Sequence, residues 1–216
     1  TIPENISMAS ASLLACGVIT GIGAVTNTAK VKAGSTVVVI GAGGVGLNAI
    51  QGAAIAGASK IIAIDVSEEK LNVAKEFGAT AGILTSDEKP YRIVKKMTGS
   101  RGVDYVFVTV GSIPAYESAS RFLSVGGSVV MVGMPPSGAK VAIEPVILAM
   151  TSQSLLGSYM GSSVLKKDIP VLIDLYRQGR LKLDELVTRK YPLNKINEAV
   201  NDVKLGNTRR NVIVFD

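Results

Sequence analysis

The sequence is poor in the side chains on which many kinds of catalysis depend. Its 216 residues include no histidine, no tryptophan, four phenylalanines and a single cysteine. A disulfide needs two cysteines, a structural zinc site needs four ligands, and a serine-type triad needs an imidazole. None of these can be assembled from this chain alone. With 47% hydrophobic and 19% charged residues, however, the chain is far too apolar to be disordered and can bury a core.

The net charge of +6 does not come from one basic patch. The basic pairs at 95–96, 166–167 and 209–210 are far apart and have no interleaved aromatics, so we expect no nucleic-acid partner. Residues 5–29 and 33–59 carry no charge, but both contain glycines and polar side chains. Neither is typical of a membrane span, and no signal-peptide pattern opens the chain. We therefore expect a cytoplasmic protein with a reduced thiol.

Short β-branched segments alternate with helical patterns along most of the chain. Strands are predicted at residues 36–40, 60–64, 82–84, 104–109, 128–132 and 154–158. Helices are predicted between them at 45–56, 68–77, 89–97 and 114–122. This alternation predicts an α/β fold, a doubly wound parallel sheet of six strands with helices on both faces.

The two ends of the chain depart from this alternation. Residues 3–16 are typical of a helix that leads into the sheet. After residue 161, helices are predicted at 166–178 and 195–205 and a terminal strand at 211–215. Since this tail has no repeat of helix and strand, we expect it to pack against something other than the main sheet.

The first strand leads directly into a glycine-rich turn, in which Gly41, Gly43 and Gly46 satisfy the pattern G-x-G-x-x-G. The first glycine allows a tight turn, the second lets a pyrophosphate approach the backbone, and the third allows close packing of helix on strand. Backbone N–H groups at the helix start, at Gly44 and Val45, then bind the diphosphate. The pattern predicts a Rossmann fold that binds a dinucleotide.

Asp65 ends the second strand about 20 residues after the turn, where a carboxylate accepts hydrogen bonds from an adenosine ribose. A 2′-phosphate at this place would meet like charge, and Val66 supplies no arginine to reverse it. The sequence therefore favours NAD over NADP. The alternative is that Asp65 only ends a strand or caps a helix.

Several motifs together resemble one family. They are CGVITG at 16–21, VVVIGAGGVG at 37–46, Ile64-Asp65 with Lys70 after it, and VMVGMPP at 130–136. The chain resembles the C-terminal, cofactor-binding part of the zinc-dependent medium-chain alcohol dehydrogenases over essentially its whole length. The resemblance implies hydride transfer between NAD and an alcohol or aldehyde, with zinc present only in the intact enzyme. The substrate itself is not specified.

The resemblance also implies roles for single residues. Cys16 matches one of several catalytic zinc ligands, the others belonging to an upstream domain, and Thr20 matches a threonine beside the nicotinamide. Lys70 matches a ribose contact. The backbone at the ends of two strands is implied to hold the nicotinamide carboxamide, and a C-terminal arginine to reach the pyrophosphate; these residues are Val110, Gly111, Val132, Met134 and Arg210. For Cys16, Thr20, Lys70 and Arg210, ordinary structural roles remain open alternatives, which for Thr20 is that of a helix-capping hydroxyl.

The family forms dimers, and the resemblance implies a homodimer through the sixth strand, where 155–160 reads LLGSYM. An apolar strand at a sheet edge favours pairing with another strand. We place the cofactor-binding domain, with its leading helix, at residues 1–160 and a segment of the catalytic domain at 161–216. This chain by itself is expected to bind NAD(H) without turnover.

Two other functions remain open. One is a stand-alone dinucleotide-binding module that acts as a redox sensor or regulatory subunit. The other is a zinc-free quinone reductase of the same superfamily, which Cys16 and Asp65 disfavour because such reductases commonly lack the ligand and prefer NADP.

Overall fold

The computed structural model describes residues 6–86, 89–206 and 208–215. The chain divides into two compact units. We call Thr20–Ser163 the sheet unit, and Thr1–Ile19 together with Val164–Asp216 the smaller unit.

The sheet unit is built on six parallel strands in the order β3-β2-β1-β4-β5-β6. Their bounds are β1 Thr36–Ile40, β2 Lys60–Asp65, β3 Ala81–Leu84, β4 Val103–Val108, β5 Leu123–Met131 and β6 Ser154–Gly157. The predicted doubly wound sheet is confirmed. The strand order reverses between β1 and β4, which makes the carboxyl ends of these strands the place where such sheets bind ligands.

Nine α-helices lie within the described residues. They are α1 Met8–Leu13, α2 Ile19–Gly23, α3 Gly44–Ile55, α4 Glu68–Glu76, α5 Pro90–Met97, α6 Ile113–Ala119, α7 Pro145–Thr151, α8 Leu165–Arg177 and α9 Ile196–Leu205. Short 3-10 helices occur at Ser120–Phe122, Met160–Ser162, Asp184–Leu186 and Leu193–Lys195. Ser67 begins α4 as its N-cap, because its side chain accepts a hydrogen bond from the N–H of Lys70.

The burial of β1 explains why its sequence shows no alternation of polar and apolar residues. All five residues of β1 are buried, and Val37, Val38 and Val39 have no exposed surface. A central parallel strand is covered on both faces, which favours apolar side chains at all positions after the polar Thr36 that begins β1. The glycine-rich turn therefore begins at the end of a fully buried strand.

The smaller unit contains two parallel strands, β7 Val187–Pro192 and β8 Arg210–Val214. Its segments are tied by hydrogen bonds between distant side chains. Asp184 accepts from the hydroxyls of Ser10 and Tyr176, and Asp202 accepts from the hydroxyl of Tyr191. The two bonds to Asp184 tie α1 and α8 to the segment that precedes β7, and the bond to Asp202 ties β7 to α9.

Helical structure continues from α1 to Thr28 through two π-helical turns, Leu14–Val18 and Ala24–Thr28. This stretch, Met8–Thr28, is long and apolar enough to cross a membrane by length and composition. However, 72% of its most apolar window is buried within the protein, which is typical of a core helix.

The structure corrects several sequence-based bounds. The leading helix, predicted to end at residue 16, continues to Thr28, since nothing between 17 and 28 breaks it; its predicted residues 3–5 lie outside the described part of the chain. The units divide at Ser163, and the leading helix up to Ile19 groups with the C-terminal segment instead of the sheet. The reason is hydrogen bonding across the sequence, as between Ser10 and Asp184.

Two further elements were not predicted. β7 has the sequence VTRKYP, whose exposed polar residues and final proline lack a strand pattern, and only its pairing with β8 makes it a strand. Among the described residues, α7 buries no side chain, so it shows no core-facing stripe. β5 also begins at Leu123, five positions before the predicted start at 128, because the glycines at 126 and 127 hide the strand pattern.

Candidate functional site

The glycine-rich turn begins where β1 ends, and its shape requires glycine at Gly41. This residue has φ +97°, which favours glycine, and a Cβ there would lie 2.4 Å from Cγ1 of Val110. Its N–H donates to the carbonyl oxygen of Ile64, at 2.7 Å. The turn is thus fixed against both neighbouring strands of β1.

The next two glycines of the motif differ in their surroundings. A Cβ at Gly43 would meet nothing within 4 Å, so open space lies over this backbone. A Cβ at Gly46 would lie 1.7 Å from the carbonyl oxygen of Gly41. Gly43 therefore leaves room for a ligand, whereas Gly46 allows α3 to approach the turn closely, as the motif predicts.

The start of α3 offers backbone donors to an anion. The first hydrogen bond that closes the helix runs from the N–H of Leu47 to the carbonyl of Gly43, at 2.8 Å. The N–H groups of Gly44, Val45 and Gly46 therefore have no acceptor within the helix. The first turn of α3 contains no acidic residue, and its positive dipole end attracts negative charge.

Asp65 stands at the end of β2 and reaches the same turn. It is 7% exposed. Its Oδ2 accepts from the N–H of Ala42 at 2.7 Å, and its Oδ1 accepts from the N–H of Ser67 at 3.1 Å. Each carboxylate oxygen retains a further lone pair for a ribose hydroxyl. Lys70 lies one turn further along, half-buried on α4.

The chain segments after β4 and β5 meet backbone to backbone. A Cβ at Gly111 would lie 2.4 Å from the carbonyl oxygen of Met134, and one at Gly133 would lie 2.4 Å from the carbonyl oxygen of Val110. Val132 is buried, whereas the side chain of Met134 is 74% exposed. The two segments are therefore in close main-chain contact after the carboxyl ends of β4 and β5.

Thr20 lies on α2, beside a close helix–helix contact. The next residue, Gly21, has no room for a side chain, because a Cβ there would lie 2.5 Å from the carbonyl oxygen of Val45 in α3. The Thr20 hydroxyl is half-buried and lies 3.8 Å from Sδ of Met160. The structure thus brings α2 against the first turn of α3.

Cys16 and Arg210 belong to the smaller unit and are neighbours there. The Arg210 guanidinium lies over Gly17, so closely that a Cβ at Gly17 would be 2.2 Å from Nη2. Burial lowers the pKa of Arg210 below its usual value, and the adjacent Cys16 partly offsets this shift. The Cys16 thiol itself is exposed.

The described residues do not make a complete zinc site. Within 6–86, 89–206 and 208–215, no three His, Cys, Asp or Glu side chains are grouped so as to hold a metal ion. A catalytic zinc takes three protein ligands and an open position. Cys16 supplies one candidate thiolate, so the other ligands would have to come from residues outside the described part of this chain.

Two site-forming side chains were missed by the sequence analysis. The single proton of the Thr109 hydroxyl is shared between the carbonyl oxygens of Ile40 and Gly41, each 2.9 Å from Oγ1. The Tyr116 hydroxyl donates to the carbonyl oxygen of Gly133. Thr109 was recognised only as the end of a strand, and nothing in the sequence around Tyr116 indicates its partner.

The strand order, the open glycine turn and the buried acid at the end of β2 together define the class of α/β domains that bind dinucleotides at a topological switch point. A family model for zinc-binding dehydrogenases matches residues 44–178. The chain belongs to the zinc-binding dehydrogenase family and corresponds to the cofactor-binding portion of its relatives.

Individual relatives agree with this assignment. The probable S-(hydroxymethyl)glutathione dehydrogenase 1 of Schizosaccharomyces pombe is 40% identical over 214 residues, which are 98% of this chain and 56% of the relative. Benzyl alcohol dehydrogenase from Acinetobacter calcoaceticus is 34% identical with a TM-score of 0.96 over 100% of this chain and 59% of its own. 2R,3R-butanediol dehydrogenase from Bacillus subtilis is 25% identical with a TM-score of 0.86, and the match covers 100% of this chain and 60% of its own. The chain therefore spans little more than half the length of these proteins.

Proposed function

We propose that this chain binds NAD(H) for an alcohol dehydrogenase that transfers hydride between the cofactor and an alcohol or aldehyde. The observation that carries the proposal is the open turn at Gly43 with free helix N–H groups beside it and a buried carboxylate, Asp65, next to it. The relatives named for S-(hydroxymethyl)glutathione, benzyl alcohol and 2R,3R-butanediol support the substrate class.

The choice of NAD over NADP rests on Asp65. Its carboxylate is buried and anchored by two N–H groups, so it cannot swing away from a 2′-phosphate, and like charge at short distance opposes binding. One structural neighbour, a putative zinc-binding dehydrogenase from Sinorhizobium meliloti that is 25% identical, was solved bound to NADP. This fold can therefore also hold NADP, and in this chain Asp65 is the residue that opposes it.

The experiment is a fluorescence titration of the chain with NADH and with NADPH. The wild-type chain is expected to bind NADH at least about tenfold more tightly, and Asp65→Ser to weaken NADH binding and narrow the difference. Glu69→Ser removes an exposed carboxylate from α4 and serves as the charge-matched control. Unchanged discrimination in Asp65→Ser would contradict the assignment.

In this proposal, zinc binding and catalytic turnover require the intact enzyme, in which zinc would polarise the alcohol oxygen. Cys16 would supply one thiolate ligand, with Thr20 beside the nicotinamide and Lys70 and Arg210 as cofactor contacts. This chain is expected to oxidise no alcohol even when NAD and zinc are added. Measurable turnover by the chain alone would show that the catalytic groups are all present in it.

The proposal includes a cytoplasmic homodimer formed through the edge strand β6. β6 pairs with β5 on one side, and α7, which follows β5 in the chain, exposes Val146, Ile147 and Met150. A second copy would cover this apolar helix and extend the sheet. Light scattering of the wild type should give a dimer and that of Met150→Glu a monomer, whereas Val203→Glu, on exposed α9, should remain dimeric.

A further inference from the structure

One peptide unit of the glycine-rich turn is held at both ends by side chains from different strands. It joins Gly41 to Ala42. Its carbonyl oxygen accepts from the Thr109 hydroxyl at 2.9 Å, and its N–H donates to Oδ2 of Asp65 at 2.7 Å. Asp65 ends β2 and Thr109 follows β4, the two strands that pair with β1.

The conformation of Gly41 makes such a restraint useful. Gly41 has φ +97° and no Cβ, so rotation of the peptide plane meets little steric opposition. A flip would exchange the positions of the carbonyl and the N–H, and would point the Gly41 carbonyl oxygen at the Asp65 carboxylate. It would also take the Ala42 N–H away from Asp65 and the Gly41 carbonyl away from Thr109, and so release both restraints that hold the turn beside the start of α3.

Thr109 is half-buried, and the other hydrogen bonds of this residue build its hydroxyl into the turn. The single proton of this hydroxyl is shared with the Ile40 carbonyl, also at 2.9 Å, and the Thr109 N–H donates to that same oxygen at 3.0 Å. A Cβ at Gly46 would lie only 2.9 Å from this hydroxyl oxygen. The third glycine of the motif therefore makes room for Thr109 as well as for the backbone.

We propose that Thr109 is a positioning residue for pyrophosphate binding: with Asp65 it locks the Gly41–Ala42 peptide plane, so that the turn is shaped before a dinucleotide arrives. This inference rests on the proposed function, since it assigns how the proposed cofactor site is pre-organised. A binding site that is already ordered loses less entropy when its ligand binds. In this proposal Asp65 has two tasks, which are to hold this peptide plane and to contact the ribose.

The test compares Thr109→Ala and Thr109→Ser with the wild-type chain. Alanine removes the hydroxyl without adding bulk, and serine retains it. Thr109→Ala is expected to bind NADH and ADP-ribose about tenfold more weakly, the effect of one lost hydrogen bond. Its affinity for adenosine, which carries no phosphate, should change by less than about twofold, and Thr109→Ser should restore dinucleotide binding to within about threefold.

Hydrogen exchange of the ligand-free chain provides a readout that does not depend on cofactor. The amides of residues 42–46 should exchange faster in Thr109→Ala than in the wild type or in Thr109→Ser. If the wild type binds NADH and Thr109→Ala binds it equally well, or if serine fails to rescue, the positioning role is wrong. If the wild-type chain binds no dinucleotide, the proposed function itself fails, and unchanged exchange in Thr109→Ala would then reject the lock independently.

Discussion

The sheet unit and the smaller unit differ in what fixes their chain segments. In the sheet unit, buried β-branched strands and close approaches of backbone to backbone set the geometry, as at Gly46 against the Gly41 carbonyl. In the smaller unit, single polar side chains join distant segments, as Asp184 joins Ser10 and Tyr176. The first kind of contact follows from local sequence patterns, whereas the second depends on partners that are far away in the chain.

The largest expected effect comes from adding one methyl group in the sheet unit. Gly46→Ala would place a Cβ 1.7 Å from a backbone oxygen, so we expect a loss of about 3–5 kcal/mol in the free energy of unfolding. Gly43→Ala, where nothing lies within 4 Å, should cost less than about 1 kcal/mol. Urea denaturation measures both. Equal costs would contradict the different tasks assigned to the two glycines.

The smaller unit should respond most strongly to loss of a shared acceptor. Asp184→Asn replaces one carboxylate oxygen by a donor, which leaves either the buried Ser10 hydroxyl or the Tyr176 hydroxyl without its acceptor. We expect a loss of about 1–3 kcal/mol. Asp174→Asn, an exposed residue 3.7 Å from Arg177, is the control and should change stability by less than about 0.5 kcal/mol. A similar effect in both variants would show that Asp184 is not a structural link.

In the smaller unit, a Cβ added at Gly17 would meet a flexible side chain instead of backbone. Gly17→Ala brings a Cβ to 2.2 Å from Nη2 of Arg210, and the guanidinium can move, so the cost should be only about 1 kcal/mol. In an Arg210→Ala background the same change should be neutral or stabilising, since alanine favours helix over glycine. A double-mutant cycle by thermal unfolding measures this coupling. The same cost in both backgrounds would remove Arg210 as its cause.

The smallest expected effect is a pH dependence of the free energy of unfolding, which arises from a different tyrosine in each unit. The hydrogen bond to Asp184, with some burial, raises the pKa of Tyr176, and burial raises the pKa of Tyr116. Such a tyrosine stays protonated in the folded chain where the unfolded chain ionises. Its contribution to stability is therefore complete below pH about 10 and is lost as the pH rises through the raised folded value.

Unfolding by urea between pH 8 and 11 tests this for each unit. Tyr116→Phe and Tyr176→Phe should each be less stable than the wild type at pH 8 and should lose less stability on going to pH 11. Tyr159→Phe, whose side chain is 76% exposed, is the control and should follow the wild type. Identical pH slopes in all four proteins would contradict both assignments.

The residues of the candidate site also divide into those that local sequence patterns indicate and those that depend on partners far away in the chain. The glycine turn and Asp65 could be predicted from the sequence, because a motif and a strand end place them on neighbouring strands. Thr109 and Tyr116 could not, since their partners are carbonyl groups brought near by strand order, and a carbonyl carries no sequence signal. The roles of Cys16, Thr20, Lys70 and Arg210 still rest on family resemblance.

The sequence by itself determined the alternation of strands and helices, the position of the glycine turn and the acid that ends β2, because these follow from local periodicity and from the conformational freedom of glycine. Only the tertiary structure decided which peptide unit the flanking strands hold and which unit the leading helix joins. Those outcomes depend on hydrogen bonds between residues far apart in the chain, such as Ser10 with Asp184 and Gly41 with Thr109.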